Sequence, residues 1–455
     1  MSDPNAGGRK GHRYPGAFGV ERCDRTPVGV TLRPRAPAAG SDAILGVVTT
    51  STLDADPACP GPPEERASPA APAPPVRQLR AERRPFGSLD RQTWDEFAAR
   101  NPWSTPFSSW AFHRAWWDAY GDNAHDQTMV VVDAAADADA PERVVAIVPF
   151  MHRHEVEPTD ALTHTTMRHG RDVELTPVAP GAKAIFFGAS YHADYATILA
   201  DPRDLPAVAE AVVECLASPA LPDDDHPAAW DVIDLRRLRC GDPAADALAD
   251  AFGRREIAEG WTLNLEREDV CPVVTLPAGV DLDGFLATLD RKQRHEIRRK
   301  VRRAEAAGEV RLDDSTDPVA DLPVFIDLHQ KRWGDDGLFP ATPGGDQSRT
   351  LFRRLFELSG PDGPLRLTFL TVGGRRIAAG IHIETADGYL YYNAGVDPEA
   401  RDLSPGVVMI ARFVERAIAS GRRRLDFLRG DEPYKYEWGA RDEPIQRLLV
   451  RRRDG

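Results

Sequence analysis

The order of elements between residues 365 and 428 constrains this chain more than any other feature. Leu365–Val372, Arg376–Glu384 and Tyr389–Val396 are apolar and β-branched runs. They are separated by Gly373–Gly374 and Asp387–Gly388, pairs that turn a chain back on itself. A loop, a helix over Pro405–Ser420 and a strand over Arg424–Leu428 follow. Strands followed by a helix that returns to a further strand demand a mixed α/β sheet. The helix start is well specified: Ser404 is placed to cap it, Pro405 fits its first position, and Gly421 follows its end. Amides at such a start, Ser404–Gly406, form a natural seat for a phosphate or carboxylate, and Arg401 just ahead adds a charge.

The chain has 455 residues, which predicts two or three domains, and a formal charge of −14. An acidic balance argues against a dedicated duplex-DNA binder, whose footprint is basic. Apolar residues are 42% and charged residues 28%, as in ordinary globular proteins. Apolar runs such as Val144–Phe150 and Val407–Ile410 are too short to span a bilayer, so no membrane span is expected. Cys23, Cys59, Cys215, Cys240 and Cys271 are scattered without a C-x-x-C pair, and no signal-peptide layout opens the chain. Both observations predict a reduced, cytoplasmic protein. Residues 1–78, with PACPGPPEERASPAAPAPP at 57–75, read as a disordered Pro/Ala-rich tail.

Two α/β units are expected, 79–260 and 271–449. In the first, helices are predicted over Ser88–Ala99 with Ser88 as cap, from Trp110 to Tyr120, and over Leu205–Leu216 and Ala244–Phe252. Strands are predicted over Met129–Asp133, Arg143–His152, Ala184–Phe187, Ala196–Leu199 and Trp230–Leu235. Trp110, His113, Trp117 and Tyr120 share one helical stripe, which suits core packing or a ligand wall. The second unit opens at Cys271. It continues with a long helix from Leu282 to Ala307, ended by Gly308, and helices Pro323–Trp333 and Arg349–Leu358. Within the long helix, Arg291, Lys292, Arg294, Arg298, Arg299, Lys300, Arg302 and Arg303 face only Glu296. That is either a solvated face or an anion cradle.

Val396, Pro398, Arg401 and Gly406, in the string VDPEARDLSPG, resemble the acyl-CoA loop of the GNAT acyltransferases, V-x-P-x-x-R-G-x-G-x-G. Asp402 and Ser404 stand where that pattern has glycines. LDRKQRHEIRRKVRRAEAAG, LHQKRWG and FLRGDEPYKYEWG extend the resemblance to the CelD/BcsL-type subgroup of cellulose biosynthesis. That subgroup is similar to the FemAB aminoacyl ligases. The resemblance covers 76–449 and implies two GNAT-like units in tandem, with acetyl-CoA or another acyl-CoA as donor and no metal. The acceptor would be an amine or hydroxyl on a small molecule, sugar or peptide. A FemAB-like reading would instead take aminoacyl-tRNA as donor, through the basic helix. A third reading keeps the fold only, as a non-catalytic accessory of polysaccharide assembly.

Such chemistry needs a groove, and Tyr389–Val396 and Arg424–Leu428 are its expected walls. Amides near Asn393–Gly395 suit an oxyanion. Asp431 suits a base, and the Tyr434 phenol suits an acid for the leaving thiolate. Lys435 resembles the lysine in the Phe-Lys-x-x-Phe-Gly ending of FemAB proteins, where it helps bind substrate. Alternatively the segment is a turn with aromatic packing. His329 and Arg332, three apart on one helix, suit a cleft, and Trp333 suits the core. His382 and Glu384 share one strand face and are candidate substrate contacts, or else face water. His152, His154, His164 and His169 lack companions at metal-ligand spacing. There is no G-x-S-x-G or G-x-x-x-x-G-K-[ST] motif.

Overall fold

The computed structural model describes residues 78–133, 143–153, 164–166, 172–179, 181–217, 229–334 and 337–452. The expected tail lies outside them except for Gln78, as do Cys23, Cys59, His154 and His169. In chain order the first half contains β1 (Leu79–Arg83), α1 (Arg91–Arg100), α2 (Trp110–Tyr120), β2 (Ala124–Asp126), β3 (Met129–Asp133), β4 (Arg143–Val148), β5 (Phe150–Arg153), β6 (His164–Thr166), β7 (Asp172–Glu174), β8 (Ala184–Phe187), β9 (Leu199–Ala200), α3 (Leu205–Ala217), β10 (Val232–Arg239) and α4 (Pro243–Glu259). There follow β11 (Thr262–Thr275), α5 (Leu282–Ala287), α6 (Arg291–Ala307), β12 (Val310–Asp314), α7 (Pro318–Trp333), α8 (Pro343–Ser359), β13 (Leu365–Val372), β14 (Arg375–Glu384), β15 (Gly388–Val396), α9 (Pro405–Ala419), β16 (Arg424–Asp426), α10 (Pro433–Tyr436) and β17 (Arg441–Arg451).

Among the described residues, eleven strands form one sheet in the order β12-β13-β14-β15-β16-β11-β17-β10-β8-β5-β2. Its two parallel pairings are β15 with β16 and β8 with β10. Each spans a crossover through a helix, α9 in one case and α3 in the other, so the same β-α-β device occurs once in each half. This is the mixed α/β, tandem arrangement expected. A second sheet, β1-β3-β4-β9, belongs to the first half. β11 runs unbroken through residues 262–275, across the expected gap between the units, and pairs with β17 along most of its length.

Apolar alternation fixes which face each helix covers. Leu367, Phe369, Ile381, Ile383 and Leu390 pack with Phe112 and Trp116 of α2, Phe325 and Leu328 of α7, and Phe352 of α8. Tyr389, Tyr391, Leu425 and Phe427 point to the other face, against α5, α6 and α9.

Local chemistry moves several expected boundaries. Asp90, not Ser88, caps α1, its carboxylate accepting from the Thr93 amide at 2.9 Å. Phe86–Ser88 is a separate 3-10 turn. The expected strand 143–152 divides at Pro149, which cannot donate to a ladder, and its parts enter different sheets. Ala196 makes only an isolated bridge to Leu238. The long helix is two, α5 and α6, because Asp290 caps a new start by accepting from the Lys292 and Gln293 amides. α7 begins five residues before Pro323, at the Asp317 cap, and accommodates that proline internally.

Candidate functional site

The β15–β16 ladder is short. It runs Gly388–Arg424, Tyr389–Leu425, Leu390–Asp426 and then stops, while β15 continues to Val396. The chain after Asp426 instead follows β11, with Phe427 N donating to Pro272 O and Gly430 N to Val270 O at 3.0 Å each. From Tyr391 onward, β15 therefore has no strand partner on that side among the described residues, and the expected groove walls diverge. A bulge opposite Ile381–His382 inserts Tyr392 as an extra residue. It turns Tyr392 and Asn393 to the same side, the side covered by α7 and α8.

His329 on α7 is buried and hydrogen-bonds Asn393, so two candidates from distant segments meet at this divergence. Burial pushes its imidazole down to about 4, leaving it neutral at physiological pH. Gly395 allows this approach: a Cβ there would fall onto the His329 amide nitrogen. Arg332, one turn on, acts electrostatically on the phenols of both Tyr391 and Tyr434. Tyr434 packs edge-on against Phe427 at 6.0 Å. Burial raises its phenol above the usual range, so it stays protonated and able to donate. His329 thus meets Asn393 where the strands part, and Arg332 of the same helix acts on Tyr434. Asp431 lies half-buried in the loop before α10 and interacts with Asp269.

Beside the opening, the start of α9 differs from expectation. Ser404 adopts a left-handed conformation (φ 52°, ψ 55°) and makes no side-chain cap. Its hydroxyl instead accepts from Arg303 of α6 at 2.8 Å, which turns it away from the helix amides. A Cβ on Gly406 would meet nothing within 4 Å. The Ser404 amide is taken by Arg401 O at 3.0 Å and Pro405 has no N–H, so Gly406 supplies the first N–H of α9. Val396 ends β15. Arg401 is exposed on the 3-10 turn Pro398–Leu403, which packs against α6. Arg291, Lys292 and Arg302 are exposed on α6 with no ion pair among the described residues.

Other expectations need correction. Lys435 is buried, and its ammonium donates to the carbonyls of Leu428 (3.0 Å), Arg429 (2.8 Å) and Gly430 (2.8 Å) and pairs with Glu432 at 2.8 Å. Every proton is engaged, so it positions the chain and offers nothing to substrate. His382 is fully buried under α9, 4.7 Å from the Phe413 ring, with Thr368 Oγ1 at 3.3 Å. It shares a strand with Glu384 as expected but reaches no cleft. Glu384 lines a different cavity, of about 470 Å³, between α1, α2, α8 and the β13–β14 strand ends. Tyr120 and His113 of the aromatic stripe are core.

Sequence reasoning missed Asp426. Its Oδ1 accepts from Leu428 N and its Oδ2 from the Tyr195 hydroxyl, both at 2.8 Å. Tyr195 comes from the first half, and so the divergence is tied to that half at its apex. Burial pushes the Asp426 carboxyl up to about 6, against the Leu428 amide, Tyr195 and Arg424, which favour its charge. Its signal was an acidic residue inside the apolar run Leu425–Leu428, an environment that carboxylates seldom enter unpaired. Among the described residues no group of three or more His, Cys, Asp or Glu is placed to hold a metal, and no helix is long and apolar enough to cross a membrane.

With this geometry in view, comparison with known proteins is informative for one stretch. Residues 291–436, from the start of α6 to the end of α10, match the family model of the acetyltransferase (GNAT) domain. The match spans about a third of the chain. No curated protein matches it. Solved structures similar to it include FemX, at 11% identity and TM-score 0.48, covering 79% of this chain and 96% of that one. A conserved protein of unknown function from Bacteroides thetaiotaomicron VPI-5482 is 13% identical with TM-score 0.46, covering 82% and 100%. A tandem GNAT protein from the clavulanic acid biosynthesis pathway is 10% identical with TM-score 0.38, covering 82% and 98%.

Proposed function

We propose that the protein transfers an acyl group from an acyl-CoA to an amine or hydroxyl acceptor by direct attack, without a covalent enzyme intermediate. The observation that carries this reading is the divergence of β15 from β16 beside a helix start with no side-chain cap and open space at Gly406. In this reading the α9 amides, with Arg303 and Arg401, take the donor's pyrophosphate. Pro405 supplies no N–H, so the basic face of α6 contributes more of the charge than the loop does. The pantetheine arm lies along the free edge of β15, and the amides near Asn393 steady the oxyanion. The protonated Tyr434 phenol gives its proton to the leaving thiolate. Neutral His329 holds Asn393 in place, and Asp431 orients or deprotonates the acceptor. The resemblance to CelD/BcsL-type and FemAB proteins favours a sugar or peptide amine as acceptor.

Calorimetric titration with acetyl-CoA and longer acyl-CoAs tests the reading: saturable heat with at least one is expected, and none with any overturns it. The exposed cations of α6 favour a second reading, in which the donor is aminoacyl-tRNA. That reading requires retention on tRNA that weakens steeply with salt; no retention at low salt removes it.

A further inference from the structure

The parallel ladder between β15 and β16 stops after Leu390–Asp426, although both chains continue. In a parallel ladder the next residue of the β16 chain to face β15 is Leu428. Its amide hydrogen and carbonyl oxygen are the two groups that would extend the pairing. Both are engaged elsewhere. The Leu428 amide donates to Asp426 Oδ1 at 2.8 Å, and the Leu428 carbonyl accepts from Lys435 Nζ at 3.0 Å. Leu428 itself is left-handed, φ 57°, a conformation a branched side chain seldom adopts and one that bends the chain out of the sheet. Lys435 also takes the carbonyls of Arg429 and Gly430, so three consecutive carbonyls of the curled segment converge on one ammonium.

We infer that Asp426 and Lys435 are a positioning pair that holds the two strands apart, by sequestering the amide and the carbonyl with which Leu428 would close the opening. The inference rests on the reading of that opening as the donor's entry. Neither residue touches the donor. The carboxylate acts through the amide it accepts from, and its charged form is the stronger acceptor. Four groups face Asp426 from the elements around it. Tyr195 donates to it from the first half, Glu443 of β17 raises its proton affinity, Cys271 of β11 raises that of Tyr195, and Arg424 of its own strand stands 3.7 Å away. Because this carboxyl titrates at about 6, the clasp on Leu428 weakens as the solution is acidified through that value.

The test is amide hydrogen–deuterium exchange on the full chain, wild type, Asp426→Asn and Tyr195→Phe, from pH 5 to 8 and corrected for intrinsic rates. It is paired with acetyl-CoA titration over the same range. In the wild type, protection at Leu428 falls at least threefold on acidification, with a midpoint near 6, and donor affinity falls in step. In Asp426→Asn, which keeps an oxygen acceptor but cannot ionise, the pH dependence of protection disappears. In Tyr195→Phe the midpoint moves upward, because one bond favouring the charged form is gone; a merely structural tyrosine would leave it in place. Protection profiles that coincide for all three proteins overturn the inference. Wild-type protein that shows the exchange behaviour but no heat with acetyl-CoA or any longer acyl-CoA overturns the donor reading alone.

Discussion

The Lys435 ammonium lies 3.0 Å from the Leu428 carbonyl and serves two more carbonyls of the same turn. A lysine that reads in sequence as a substrate contact is thus the internal strut of the loop. Lys435→Met removes the charge and strands three acceptors, and an unsatisfied buried group costs ~1–3 kcal/mol. We expect a loss of about 3 kcal/mol in urea unfolding. Lys435→Arg should recover little of it, since a planar fork cannot point three donors at carbonyls converging on one atom.

Gly395 and His329 are in mutual dependence. A methyl at 395 meets backbone atoms of α7, which cannot swing aside. Gly395→Ala should lower stability by ~2 kcal/mol through overpacking. It should also weaken acetyl-CoA binding, because His329 loses its hold on Asn393. Thermal unfolding and calorimetry read the two effects separately.

Gly406 makes the opposite case. Nothing lies within 4 Å of a Cβ at this position, and exchange to alanine in a helix stabilises by up to ~1 kcal/mol. Gly406→Ala should therefore melt at or slightly above the wild-type temperature. If the pyrophosphate lies against these amides, donor affinity falls about tenfold, equivalent to ~1.4 kcal/mol. An unchanged affinity would move the donor elsewhere.

Buried histidines contribute to the acid limit, His382 among them, since burial lowers its pKa too. Burial depresses His113 and His192 to about 3 and His329 to about 4, from an ordinary 6.5. The unfolded chain binds these protons first, so the stability they confer is complete above pH 6.5 and is lost as pH falls toward 4. Urea midpoints should decline steadily from about pH 7 to about pH 4.5.

Asp426 has the reverse sign. Its folded pKa of about 6 exceeds the ordinary 3.8, so the folded state holds this proton more tightly. The associated stability is present below pH 3.8 and is lost as pH rises through 6. At about pH 7.5 the ionised group destabilises the fold by roughly 1–3 kcal/mol, because each tenfold difference in proton affinity between folded and unfolded chain is worth about 1.36 kcal/mol. Asp426→Asn should raise the urea midpoint at about pH 7.5 and change it little at about pH 4.5.

The strand-turn-strand-turn-strand run from 365 to 396 was legible because apolar alternation and glycine turns are local signals. Asn393, His329, Arg332 and Tyr434 could be singled out in the sequence as candidates, but nothing local shows which of them meet. The contact of His329 with Asn393 goes with a bulge at Tyr392, which leaves no mark on composition. The roles of Lys435 and His382 misled because burial is decided by partners elsewhere in the chain: carbonyls of 428–430 in one case, the α9 ring of Phe413 in the other. The Ser404 cap failed for a similar reason. Its hydroxyl had a competing donor, Arg303, about a hundred residues earlier, and a charge-assisted bond outweighs a neutral one.

The placement of β17 carries a consequence for biogenesis. It lies between β11 and β10, yet it is made after both. Until the ribosome has delivered it, those two strands present bare rims that invite pairing with another nascent molecule. Assembly of the central sheet thus waits on a late insertion, and a truncation before Arg441 would yield an aggregating product rather than a shorter working one.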